Sequence, residues 1–129
     1  MIDALDHIHR YVDDIHAAAA WYRQILGFHP DPAFRQWFEE GGPYVISCAA
    51  ASLSLFPRRG HAPGPTIAFS TQATQLPALL NALRAQGVAY TVVDHALTWS
   101  IYFHDESANA LEVTCHQYAA ATAALATSA

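Results

Sequence analysis

Two histidines in the run LDHIHRYV, His7 and His9, and a carboxylate in the run YFHDESANALEV, Glu112, are the residues of this chain best suited to chemistry. Imidazole is a common ligand of borderline metals and the usual acid–base group near neutral pH. A carboxylate can complete a metal site or act as a base. In an extended segment side chains alternate, so His7, His9 and Tyr11 share one face while Ile8, Arg10 and Val12 share the other. The same alternation puts Ser100, Tyr102 and His104 on one face, and gives His104 and His116 the parity to lie with Glu112. Paired with a histidine or Tyr102, Glu112 would be a structural carboxylate; buried without a partner it would favour the neutral acid, and a carboxylate left in that environment would be a general base. Cys48 and Cys115 lack CxxC spacing and read as small core residues.

These residues need elements to position them. After the first strand, Asp13 and Asp14 provide a helix start and Gly27 a stop, with Ala18, Trp21, Tyr22, Ile25 and Leu26 forming one apolar stripe between them. Phe34 to Glu39, Tyr44 to Ala49 and Ser52 to Phe56 read as three short strands. RRGHAPGP, ending at Pro65, can sustain neither helix nor ladder, and its adjacent Arg58 and Arg59 read as a solvated loop. The plan then recurs. A strand at Thr66 to Ser70 precedes a helix from about Ala73 to Gln86, closed by Gly87 and striped by Leu76, Leu79, Leu80 and Leu83. Strands near Ala89 to Val93, Trp99 to His104 and Leu111 to His116 complete the copy. The expected class is α+β: two βαβββ modules, residues 1–60 and 61–116, pairing into a curved half-barrel around a cup with helices outside. An Ala/Thr-rich tail, 117–129, is open to being a docking helix or frayed chain, the whole forming one domain.

Composition excludes several partners. A formal charge of −5, with six arginines and no lysine, leaves no basic stripe for nucleic acid. No apolar run reaches the ~20 residues that span a bilayer, and the N-terminus lacks a secretion-signal pattern, so the expected location is the cytoplasm and no membrane partner is expected. A hydrophobic fraction of 53% against 13% charged residues is rich for 129 residues and points to a homodimer.

The chain resembles the vicinal oxygen chelate superfamily, which includes glyoxalase I, extradiol dioxygenases, fosfomycin-inactivating thiol transferases and bleomycin-binding resistance proteins. The resemblance spans residues 3 to 116 and rests on LDHIH, WYRQILGF, TIAFS and YFHDESANALEV in that order. It implies a divalent metal (Zn, Mn, Fe or Ni) with ligands at His7 and Glu112. The position of the third ligand, usually a histidine, is Thr66, and a fourth position falls near Ser54, so the standard site is broken here. His9 is the substitute ligand on His7's face, although residues two apart on a strand lie roughly 6.5 to 7 Å apart along the backbone.

The resemblance also implies a substrate pocket involving His9, Ser54, Thr66, Ser100, Tyr102 and His104, with Glu112 and Tyr102 as the candidate catalytic pair. Trp37 and Phe38 are candidates for a substrate-facing aromatic patch. Asn109 matches a hairpin-turn residue of the family. Two readings of function stand. One is a metal-dependent lyase, isomerase or dioxygenase with a degenerate site. The other is a metal-free resistance protein that sequesters a small molecule, for which Thr66, Ser54 and the acidic balance speak.

Overall fold

The computed structural model describes Met1 and residues 4–128 and consists of two compact units, Met1–Gly64 and Pro65–Ala129. The first contains β1 (Ile8–Val12), α1 (Ile15–Leu26), β2 (His29–Pro30), α2 (Arg35–Glu39), β3 (Tyr44–Cys48) and β4 (Ala51–Pro57). The second contains β5 (Ile67–Ser70), α3 (Leu76–Ala85), β6 (Thr91–Asp94), β7 (Trp99–His104), β8 (Ala110–Cys115) and α4 (Tyr118–Ala126). Each unit is an open four-stranded mixed sheet, β1-β4-β3-β2 and β5-β8-β7-β6, in which the first strand runs parallel to the last and the other pairs are antiparallel. The α+β class is thereby seen directly, and the second unit lays down strand, helix and three strands as expected, whereas in the first α2 separates the second strand from the third.

The helices form for the reasons their sequences carry. Asp14 is the N-cap of α1, its Oδ1 accepting the Ala17 amide at 2.9 Å, and Gly27 closes the helix at φ 76°, where a β-carbon would be strained. Ala18, Tyr22 and Ile25 of α1 are buried with Val12, Ile46, Leu53 and Leu55 among the core residues of this unit. In the second unit Leu76, Leu79, Leu80 and Leu83 of α3 are buried, as are Ile67, Ile101, Phe103, Leu111, Val113 and Cys115 of the sheet. At ~25 cal/mol per Å² of apolar area, burial of these stripes is the main term holding each helix to its sheet.

Two segments depart from the sequence expectation. Phe34 to Glu39 is not a strand. Asp31 caps a 3₁₀ turn at Pro32–Phe34 through the Ala33 amide (3.0 Å), and α2 follows at once. Proline in the first turn suits a helix start, and Arg35–Glu39 and Gln36–Glu40 make i,i+4 hydrogen bonds of 3.0 and 2.9 Å. The edge strand is instead the two-residue β2. Nor is Arg58 a solvated loop residue: half-buried, it donates to the Tyr11 carbonyl at 3.2 Å and lies 3.5 Å from Asp13, tying the end of β4 to the end of β1.

The tail is a helix. Tyr118 donates to both carboxylate oxygens of Asp94 (2.9 and 2.8 Å) and stacks on Trp99, whose indole N–H donates to Thr122. Gln117 accepts the Ala73 amide at 2.8 Å, joining α4 to the turn that leads into α3.

Candidate functional site

In the second unit the register sets Glu112 of β8 between Ala68 of β5 and Tyr102 of β7, with Ser100 opposite Thr114 on the same face. The opposite face, with Leu111, Val113, Ile101 and Phe103, is buried, so the alternation that fills the core leaves Glu112, Tyr102, Ser100 and His104 on the polar side. Ser100 and Tyr102 both donate to Glu112 Oε1, at 2.7 and 3.1 Å. Among the described residues no hydrogen bond reaches Oε2, so this oxygen is presented as an acceptor.

His95, in the turn between β6 and β7, adds a group that the sequence did not single out. Its Nε2 lies 3.0 Å from the Tyr102 hydroxyl. The one phenolic proton is given to Glu112, so Nε2 must carry the proton of the second bond and donate to the phenol oxygen. The result is a directed chain from His95 through Tyr102 to Glu112. Partial burial first, and the Glu112 carboxylate second, raise the Tyr102 phenol above its ordinary value and keep it a donor. Ser100 is 1% exposed, while His104 is exposed at the end of β7.

In the first unit His7 lies one residue ahead of β1 and His9 within it. Their Nε2 atoms are 3.2 Å apart and their rings stack at 5.2 Å, while His7 Nδ1 is 2.7 Å from Asp6. His9 pairs in register with Ser54, which is 4% exposed, and its ring lies 4.8 Å from Phe56. Arg10, on the opposite face as the alternation requires, is buried and donates to the Tyr22 hydroxyl at 3.3 Å. Thr66 is exposed and immediately precedes β5. Trp37 is 53% exposed on α2 against Phe34, while its neighbour Phe38 packs on Tyr44.

The sequence matches the model of the Glyoxalase/Bleomycin resistance protein/Dioxygenase superfamily over residues 4–113. The chain belongs to this superfamily. No curated protein matches the sequence. Among solved structures this superfamily member is similar to "Oxidase ChaP-H2" (TM-score 0.76, 20% identity, 94% of this chain and 99% of that one). It is also similar to lactoylglutathione lyase from Agrobacterium tumefaciens (0.71, 18%, 88% and 94%) and to the fosfomycin resistance protein FosX from Mesorhizobium loti (0.69, 15%, 89% and 93%). At these identities the likeness establishes the shared fold.

A divalent metal, which the resemblance implies, does not fit the donors present. The family's third and fourth ligand positions fall on Thr66 and Ser54, whose hydroxyls are poor replacements for an imidazole or a carboxylate. Among the described residues no three His, Cys, Asp or Glu side chains gather into a group that could hold an ion. No described helix is long and apolar enough to cross a membrane.

Proposed function

We propose that this superfamily member binds an organic small molecule directly at Glu112, with no metal ion as intermediary. The free Oε2 carries this reading. Two hydroxyl donors fix the carboxylate through Oε1 and leave Oε2 to accept an N–H or O–H from a ligand, an interaction strongest when the donor is cationic. The net charge of −5 favours the same class.

The test is ligand-induced thermal stabilisation in the presence of EDTA, using bleomycin and a panel of aromatic amines, on the native chain and on Glu112→Gln. Ligand at ~100 Kd stabilises by about 2.7 kcal/mol, and this gain should vanish in Glu112→Gln. Near-stoichiometric metal by elemental analysis, lost in both His7→Ala and Glu112→Ala, would overturn the reading.

The directed chain from His95 favours a second reading, that of an enzyme in which Glu112 and Tyr102 move a proton on the ligand. Ligand turnover abolished in Glu112→Gln and reduced ~10²-fold or more in Tyr102→Phe would support it. We infer also that two copies associate, because the hydrophobic fraction of 53% is high for a chain of 129 residues; light scattering on the eluting peak measures this.

A further inference from the structure

We propose a second ligand site in the first unit, selective for a small organic cation. A cavity of about 440 Å³, a volume typical of small-molecule pockets, opens between the start of α1, α2 and the β2–β3 edge. Tyr44, one of its walls, pairs in register with Leu55, which pairs with Arg10. Val45, which also lines it, pairs with Ser54, so the cavity sits at the β2–β3 edge of the sheet. It is lined by first-unit residues, and the proposal does not rest on the function proposed above.

Its walls are rings. His16 meets Phe38 and Tyr44 edge-on at 5.6 Å each, Phe38 meets Tyr44 at 4.8 Å, and Phe34 lines the cavity with them. Aromatic faces carry partial negative charge and attract ammonium groups. The fixed charge is Asp31, which is half-buried. Its Oδ1 accepts the Ala33 amide and its Oδ2 the Ser47 hydroxyl, at 3.0 and 3.1 Å. Neither donor is a cation, so the carboxylate keeps its full charge, oriented and with lone pairs to spare. The one arginine of the lining, Arg35, is bound by Glu39 at 3.0 Å, which leaves Asp31 as the uncompensated charge. An aromatic recess with one net negative charge selects a cation with an apolar body over a neutral molecule of the same shape.

The experiment is an NMR titration of the full chain with choline and with its neutral isostere 3,3-dimethylbutan-1-ol, repeated on Asp31→Asn and Phe38→Leu. Choline is expected to shift the amides of His16, Phe38 and Tyr44 saturably, with the alcohol at least about tenfold weaker. Asp31→Asn should weaken choline about tenfold, because it removes the charge while keeping an oxygen for the Ala33 amide; Phe38→Leu should weaken it several-fold. Equal binding of choline and the alcohol, no shift at tens of millimolar choline, or shifts confined to Ser100, Tyr102 and Glu112 would each overturn the site. The comparison of the two ligands on the native chain holds even where a variant fails to fold, and the last outcome would support the Glu112 reading.

Discussion

The two units lay down four strands in the same order and close them with the same parallel pair, yet they spend their polar faces differently. The first carries stacked rings, with His7 on His9, His9 near Phe56 and Tyr11 on His61. The second carries a carboxylate chain from His95 through Tyr102 to Glu112. Their helix-facing sides are both largely apolar; in the first unit the buried Arg10 donates its Nε to the Tyr22 hydroxyl, and in the second Asp94 accepts from Tyr118 of α4. Core faces are constrained by packing and polar faces are not, so chemistry can diverge on one side of a sheet without disturbing the other.

The sharpest test of equal cores is Leu55→Ala against Leu111→Ala, two fully buried leucines on the last strands of their sheets. Each is expected to cost about 2–5 kcal/mol in chemical denaturation. A negligible loss in one would break the likeness of the two cores.

The hairpins should differ next. The β7–β8 turn is held by Asn109, fully buried, whose backbone and side-chain nitrogens both donate to Asp105 at 2.8 and 2.9 Å. Asn109→Ala removes the side-chain bond to a carboxylate and should cost about 2 kcal/mol. Substitution of Ala50, exposed in the β3–β4 turn, by serine should change stability by less than about 0.5 kcal/mol.

Smaller still is the contrast of helix starts. Asp14→Ala should cost about 1 kcal/mol, whereas Gln75→Ala should be silent because Gln75 makes no side-chain cap to α3.

The smallest effect is spectroscopic. Tyr102 and Tyr118 are both raised above the ordinary tyrosine value: Tyr102 by partial burial and then Glu112, Tyr118 by its bond to Asp94 and then partial burial. The sign follows directly. A raised folded-state value means the stabilising neutral form is fully present below the unfolded value near 10 and is lost only as pH rises through the folded value. Absorbance at 295 nm should show both phenols ionising above the ordinary tyrosine value, with Glu112→Gln lowering Tyr102 only in part.

Much of this was legible from local rules. Caps at Asp14 and Gly27, leucine stripes and period-two alternation reveal the elements and the faces of His9, Tyr102 and Glu112. Phe34 to Glu39 reads as a strand because Phe, Trp and Phe are strand formers by composition. Their spacing at Phe34, Trp37 and Phe38 is nonetheless helical, and Asp31-Pro32 is a helix start. His95 carried no signal, since a turn residue acquires its role only when β6 and β7 pair. Arg58 was hidden for the same reason, its partners Tyr11 and Asp13 being set by the parallel pairing of β1 with β4.

That parallel pairing also dictates the order in which each unit can assemble. Ile8 must find Leu53 and Ile67 must find Leu111, the first strand of each sheet meeting the last one made. The β3–β4 and β7–β8 hairpins are local and can form in microseconds, while closure of the parallel pair must overcome the chain entropy of everything between. During synthesis the opening strand of each unit therefore lacks its native partner until the final strand has left the ribosome, and closure of that pair carries the largest loop-entropy cost in the unit.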